Sequence, residues 1–515
     1  MARKALRSSQ APDEPNLVLP LASSINERGV QGFTHSVTNS EDQRKLNCMY
    51  EVSKNPMTGK GTLVLTKRPG VTINAQSYGS ASDTALLVSK AIVAGALSSV
   101  SIADTPWVYF TGGISVKVAD SSTTTTLFTD PLGYRPAYVD ITAISSVPNV
   151  ILQSRLGVNE LIAQRVFYGT AINNWTEITD PQFTGLVHRG KMEHLDGFAL
   201  IIDADGKIWN SDINSISSWS GGINFLAKQI KQDYTKGLAR LGNQILAFGD
   251  FTVEMFYNAG NSVGSPLGRI PQKHEETGLI STALSNGTHY YATLGNKLFF
   301  LGRQAGGRAS ASLFAYDGSQ IDRLSTIYVE KILSESADSG TFYSINSMGM
   351  FGQGAIAISL AAPTSSTQRF LVFFPEWKEW FEWTSTVFQP VNNDSFFLGL
   401  GSAANRLYTF PSSDNWQDDG TSYEWMTQFK LPTNGAARRF MHMYGVQADT
   451  SRSANDLTVE ISRDDCQTFS TLGAIDLTQD RKLAFRGGSF RNAHIRLSNT
   501  NAAETRIQNF LARID

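Results

Sequence analysis

The sequence predicts an all-β protein: a β-propeller with an extended N-terminal arm and an added C-terminal β-sandwich-like domain. Three observations predict it. The stretch Leu241-Gly242-Asn243-Gln244-Ile245-Leu246-Ala247-Phe248-Gly249 is echoed 53 residues later by Leu294-Gly295-Asn296-Lys297-Leu298-Phe299-Phe300-Leu301-Gly302. In each, a turn pair leads into an apolar run ending in glycine, the pattern of a hairpin crossing into a buried strand. The composition favours sheet, with 29 Phe, 16 Tyr and 43 Gly in 515 residues and no long Glu/Lys/Leu helical run. Finally, small sheets repeated along a chain bury their faces by packing on one another, and the closed form of that arrangement is a propeller. Weaker echoes stand at Asp205-Gly206-Lys207-Ile208-Trp209 and Asn405-Arg406-Leu407-Tyr408.

Residues 1–40 are expected to form the arm. Pro12, Pro15 and Pro20 interrupt regular structure, while Leu17, Val18, Leu19 and Leu21 supply an apolar set that can dock on another surface. Docked on a neighbouring chain, the arm would be an assembly device. Residues 41–430 are expected to hold the propeller, with room for an inserted subdomain. Thr62-Leu63-Val64-Leu65-Thr66-Lys67 reads as a strand stopped by Arg68-Pro69-Gly70. Val108, Phe110, Ile114, Val116 and Val118 alternate around Gly112-Gly113 as a hairpin with one wet face, and the threonines after Ser121 read as strand or sheet edge. Residues 149–170 fit helix or strand and are assigned to strand. Phe198-Ala199-Leu200-Ile201-Ile202-Asp203, a turn at Gly206 and Ile208-Trp209 give another antiparallel pair. Strands follow at 237–249, 253–257, 290–300, 312–316, 355–360 and 370–374, then a hairpin at 396–410. Trp209, Phe248 and Trp377 are expected in the core. From residue 431 to 515 the chain changes character: arginines become frequent, including Arg438, Arg439, Arg463, Arg496 and Arg506, and alternation at 457–461 and 493–497 marks the separate β-sandwich-like domain. Such arginines suit bidentate contact with carboxylate or phosphate.

Forty-four basic against 46 acidic residues leave a formal charge of −2, too little for a strong field drawing in nucleic acid. Cys48 and Cys466 match no metal spacing or redox pair and are read as small, buried residues of a protein made in a reducing cytoplasm. The basic start from Arg3 to Arg7 is followed by Ser8-Ser9-Gln10 in place of an apolar region, so no signal peptide or membrane span is read; residues 85–100 contain Lys90 and fit a core strand pair or short helix.

Seven histidines are scattered without ligand spacing, and the closest group, His188 and His194 with Glu193 and Asp196, fits a loop equally well. Asp203-Ala204-Asp205-Gly206 opens like a calcium loop, but Lys207, Ile208 and Trp209 follow, which favours a hairpin. Gly29-Val30-Gln31-Gly32 lacks the lysine of a phosphate loop. No metal, cofactor or catalytic residue is expected. The enzymatic rival is a glycosidase, for which Trp377-Lys378-Glu379-Trp380-Phe381-Glu382-Trp383 supplies carboxylates and aromatics. As a strand, that segment would place Trp377, Glu379, Phe381 and Trp383 on one face and Trp380 and Glu382 on the other. The carboxylates would then point apart, whereas hydrolysis needs a pair about 5 Å or about 6.5 to 9.5 Å apart. Blade packing is favoured, and a carbohydrate-binding or glycan-hydrolysing propeller stands as the alternative.

Arg44-Lys45-Leu46-Asn47-Cys48, Lys67-Arg68-Pro69-Gly70, Asn210-Ser211-Asp212-Ile213-Asn214 through Trp219, and Leu246-Ala247-Phe248-Gly249-Asp250-Phe251-Thr252-Val253-Glu254-Met255-Phe256-Tyr257 carry a family resemblance, continued by Glu276-Thr277-Gly278-Leu279 and Leu301-Gly302-Arg303. Over residues 40–330 the chain resembles the tail-hub or nozzle proteins of short-tailed bacteriophages, also called packaged-DNA stabilisation proteins. The resemblance implies a non-catalytic virion tail protein with a propeller fold. It also implies a ring, with six copies favoured, beneath the portal–adaptor complex. Tail spikes or fibres are further partners, and the packaged double-stranded DNA is held without sequence preference. Near-zero net charge with local arginines suits such a conduit, because tight phosphate contacts would resist sliding. Lys228, Lys231, Arg303, Arg308 and Arg323, near turns or polar stretches, are the candidate channel or neighbour contacts; solvated surface charge is the competing reading.

Overall fold

The computed structural model describes residues 15–21, 44–54, 61–75, 84–89, 107–112, 115–119, 124–142, 144, 149–155, 165–171, 174–220, 224–228, 233–280, 291–304, 311–338, 344–350, 352–360, 367–390, 396–399, 406–410, 415–431, 437–480 and 482–515. The chain divides into two compact units, one of residues 1–71, 380–384 and 411–515 and one of residues 72–379 and 385–410.

The larger unit is a succession of antiparallel sheets of three to five strands. Two four-stranded sheets occupy residues 84–129 and 135–177. A third comprises His188–Leu195, Phe198–Asp203, Lys207–Asn210 and Phe225–Ala227, and a fourth Gly237–Leu241, Gln244–Phe248, Val253–Asn258 and Leu267–Glu275. A five-stranded sheet of residues 277–323 follows, then the antiparallel run Ser344–Met350, Gln353–Ser359 and Gln368–Phe374. In the last sheet Phe388–Pro390, Phe396–Gly399 and Leu407–Thr409 take their fourth strand, Thr72–Ala75, from the other end of the unit.

The apolar runs follow from sheets buried on both faces. Ala199 and Ile201 belong to a core with Ile151, Val166 and Trp209, whereas Leu200 and Ile202 belong to another with Leu238, Ile245 and Ala247. One residue further along the fourth sheet, Leu246 and Phe248 turn to a third core with Leu298, Phe300 and Phe314. Alternate residues of a single strand thus pack on two neighbouring sheets, which is why these strands read as continuous hydrophobic runs. The sequence repeat is the first hairpin of two successive sheets: Leu241 pairs with Gln244 and Leu294 with Lys297 across two-residue turns. Gly242 and Gly295 open those turns at φ 59° and 58°, values that a side chain would resist. The weaker echo at 205–209 occupies another corner, the turn between the second and third strands of its sheet.

Within the larger unit, the turn at Trp377 and a helix differ from the sequence reading. Trp377 is not on a strand: it sits half-buried in a turn, Lys378 follows at φ 48°, and the strand Glu379–Ser385 begins only afterwards. The helix Ile327–Asp338 was not anticipated, although Val329, Ile332 and Leu333 are buried at helical spacing and the Thr326 side chain accepts from the Val329 amide.

In the smaller unit, Cys48–Lys54, Gly61–Lys67, Arg506–Ile514, Arg439–Ala448 and Leu483–Phe490 form one sheet in that order. Lys45–Leu46, Trp425–Lys430, His494–Asn499, Asp456–Ser462 and Ser470–Asp476 form another run. Their faces meet at Phe429 and Phe510, whose ring centroids lie 5.1 Å apart edge to face. The segment Leu17–Pro20 pairs with Arg506–Ile514 of its own chain, Leu17 opposite Ala512 and Leu19 opposite Phe510, and Leu21 is buried. The apolar set read as free to dock elsewhere is therefore committed within the chain, with Val18 facing outward. Cys48 and Cys466 are free thiols; burial pushes the Cys48 thiol pKa up, and its Sγ donates to carbonyls of Leu46 and Met426.

Candidate functional site: a charge-paired loop end

At one end of the third and fourth sheets, Lys228 and residues 233–236, from the link between them, meet the turn at 249–252. Asp233 organises the meeting. Its Oδ1 accepts from the Asp250 amide at 2.8 Å, and its Oδ2 accepts from the amides of Phe251 and Thr252 and from the Thr252 hydroxyl, each at 3.0 Å. Burial alone would raise the Asp233 carboxyl pKa, but these amides, Thr252 and Lys228 hold it below the usual carboxylate value. Lys228 Nζ reaches Thr252 Oγ1 at 2.6 Å and Asp233 Oδ2 at 3.4 Å, with its side chain only 2% exposed. Burial pulls the Lys228 pKa down, offset in part by Asp233 and Glu254. Gly249 permits this arrangement, since a Cβ there would lie 2.2 Å from Asp233 Oδ2.

Asp250 is the outer carboxylate. Its Oδ1 accepts from Lys236 Nζ and, at 2.7 Å, from Arg303 Nη2, while Arg303 Nε donates to the Asp250 carbonyl at 3.1 Å. The Arg303 guanidinium lies 4.4 Å from the centroid of the Phe251 ring. Three cations and two carboxylates leave one net positive charge across the cluster. Phe251 and Tyr234 remain exposed beside it, and a cavity of about 410 Å³ opens along Lys228, Asp233, Tyr234 and Gly206.

The structure therefore brings together two of the five charged candidates. Lys228 has an internal role, its ammonium held by Thr252 and Asp233, while Arg303 is part-exposed on Asp250. Arg323, on the same five-stranded sheet as Arg303, pairs instead with Glu330, whose carboxylate also accepts from Ser312 at 3.0 Å. Lys231 and Arg308 lie outside the described residues. Trp209 is buried, its indole donating to Asp203 Oδ2 at 2.7 Å, and Phe248 is fully buried. Asp203 Oδ1 also accepts the amides of Asp205 and Lys207, so its carboxylate is consumed in a hairpin. His188 Nε2 lies 2.9 Å from the Phe183 carbonyl, to which its N–H donates. Among the described residues no three His, Cys, Asp or Glu side chains converge as a metal site. Asp233 and Lys236 were missed by the sequence reading. The available signal was the pair of hydrophilic segments flanking the Gly237–Leu241 and Gln244–Phe248 hairpin, which antiparallel pairing brings to the same sheet end.

Residues 158–364, which include both loops, match a family model described as Bacteriophage P22 Gp10, beta-propeller. That segment is similar to a phage tail-stabilisation propeller. The family's members are structural, non-catalytic tail proteins, and the match is consistent with a non-enzymatic assignment. No curated protein sequence matches the chain. Among solved structures, BamB from Moraxella catarrhalis is 9% identical, with 67% of this chain and 98% of that chain covered at a TM-score of 0.34. BBS1N in complex with ARL6DN is 10% identical, with 67% and 98% covered at 0.41. YCF48 bound to D1 peptide is 12% identical, with 67% and 97% covered at 0.35. No helix of the described residues is long and apolar enough to cross a membrane.

Proposed function

We propose that the chain is a structural subunit of a short bacteriophage tail, forming a hub or nozzle ring below the portal and adaptor that retains packaged DNA and conducts it during ejection. The match of residues 158–364 to the phage propeller family carries this reading. In it, the seven sheets of the larger unit are blades, the ring closing where Thr72–Ala75 completes the sheet of Leu407–Thr409. The two sheets of the smaller unit then form the added β-sandwich. A symmetric ring, with six copies favoured, would sit in the virion tail after synthesis in the host cytoplasm, in contact with spikes or fibres.

The charge-paired loops support a conduit. A wall whose Lys228, Lys236 and Arg303 are each already paired with Asp233 or Asp250, leaving one net positive charge, meets a duplex with few of the tight phosphate contacts that would brake its movement. The test is cryo-electron microscopy of tails assembled with the portal–adaptor complex. The expected result is a ring of closed propellers around the DNA path; a chain that stays monomeric in the presence of that complex, or occupies a position away from the path, refutes the proposal.

A further inference from the structure

In a four-strand meander the first and third turns share one end, opposite the second turn and the link to the next sheet. The charged cluster uses the latter end. At the other, the third turns of two successive sheets, with described residues 211–220, 224 and 258–266, enclose a groove of about 590 Å³, within the usual range of small-ligand sites.

Both walls are preorganised. Asp212 Oδ2 accepts from the hydroxyls of Ser218 and Ser220 at 2.5 and 2.8 Å, and its amide donates to the Ser218 carbonyl. On the facing wall Asn258 Oδ1 accepts from the Gly260 amide at 3.0 Å, and Asn261 Nδ2 donates to the Ser265 carbonyl at 3.0 Å. Asn210 lines the groove while 3% exposed; its Nδ2 donates to the Ser211 carbonyl, but its Oδ1 is buried with no hydrogen-bond partner. A buried acceptor without a donor is costly, and a ligand that brings one relieves the cost. Among the described residues no lysine or arginine lines the groove and Asp212 is its one charged lining residue, a poor setting for phosphate. Apolar surface is present too: Ile213 is 63% exposed on one wall and Val263 76% on the other.

Acceptors beside apolar patches, without a cation, match a molecule with many hydroxyl donors and apolar C–H faces. We propose that this groove binds a neutral oligosaccharide, its hydroxyls donating to Asn210 and Asp212 and its C–H faces resting on Ile213 and Val263. The proposal does not rest on the conduit role.

The full chain is screened on an array of neutral and acidic glycans, and the neutral oligosaccharides it retains are titrated by calorimetry against wild type, Asn210→Leu and Val263→Asp. Retention of neutral glycans over acidic ones is expected, with at least tenfold weaker binding in each variant that melts like wild type. Val263 is exposed enough that Val263→Asp serves even where Asn210→Leu fails to fold. Absence of neutral-glycan retention, preference for acidic glycans, or affinity unchanged in Val263→Asp overturns the proposal. So does self-association of the chain that Val263→Asp abolishes while no glycan binds, which would assign the groove to a second copy.

Discussion

The Arg68 guanidinium and the Asp418 carboxylate, 350 residues apart in sequence, meet through parallel hydrogen bonds of 2.9 and 2.7 Å in the interior of the smaller unit. The remaining donor positions reach Asn47 Oδ1 and the carbonyls of Pro69 and Thr384, and the guanidinium lies 3.8 Å from the centroid of the Tyr423 ring. Burial would lower the Arg68 pKa, but Asp418 and its hydrogen bonds leave it raised. Removing one partner of such a pair strands a buried charge and costs about 3 to 5 kcal/mol, whereas replacing both by apolar groups costs far less. Asp418→Asn is therefore expected to lower the unfolding free energy of this unit by about that amount, and Arg68→Met with Asp418→Leu to recover most of it. Chemical denaturation monitored by Trp383 and Trp425 fluorescence checks both; equal losses in the single and double variants would count against the charge argument.

His188 gives the larger unit an acid-sensitive point. Burial, only partly offset by the Phe183 carbonyl and Asp203, pushes its pKa down from 6.5 to about 4. Between those values the unfolded chain binds a proton that the folded chain refuses, so stability is lost as pH falls from 6.5 toward 4. The loss approaches about 3 kcal/mol at about 1.4 kcal/mol per unit. Asp233, also depressed, adds acid sensitivity of the same sign. Comparing melts of wild type and His188→Gln across pH 4 to 6.5 isolates the histidine: the stability difference between them should shift in favour of His188→Gln as pH falls. A pH-independent difference would mean that His188 is not held neutral.

Which parts of this fold were legible follows from where the information is local. The repeated hairpins could be read because a Gly-Asn turn and a run buried on both faces lie within nine residues. The Arg68 site was not, since Lys67-Arg68-Pro69-Gly70 looks like a turn until Asp418 and Tyr423 arrive from the far end of the chain. The same limit hid the loop end. Asp233 and Asp250 are unremarkable turn residues in sequence, and only pairing in three dimensions consumes Lys228 and Arg303. Trp377 was misplaced for a different reason: alternation was extended through Lys378, whose positive φ breaks the strand period.

Large aromatic side chains test the sheet packing. Trp209 and Phe248 are buried in different cores, so each replaced by alanine should cost about 3 to 5 kcal/mol through lost burial and a residual cavity. Trp209→Ala also strands Asp203 Oδ2, which places it toward the upper end. Trp377, half-buried in a turn, should cost clearly less. Thermal melts of the three variants rank them, and a Trp377→Ala loss equal to the others would overturn the packing described for that turn.

Charge at the loop end is nearly cancelled, so its effect on DNA should emerge when the cancellation is removed. Asp250 holds Lys236 and Arg303 with a side chain 28% exposed, and Asp250→Asn keeps the shape while releasing both cations from their shared carboxylate. If these loops face the DNA path, phage particles carrying Asp250→Asn should retain genome more firmly and eject more slowly at low salt. Each new phosphate contact steepens the logarithmic salt dependence by about 0.9, so the difference should vanish as salt rises. Lys228→Met is the contrast: its ammonium is spent on Thr252 and Asp233, so its loss should lower thermal stability and leave the salt dependence unchanged. Ejection kinetics measured across a salt series decide between these outcomes. Asp250→Asn particles that eject like the parent at every salt concentration would remove the loop end from the DNA path.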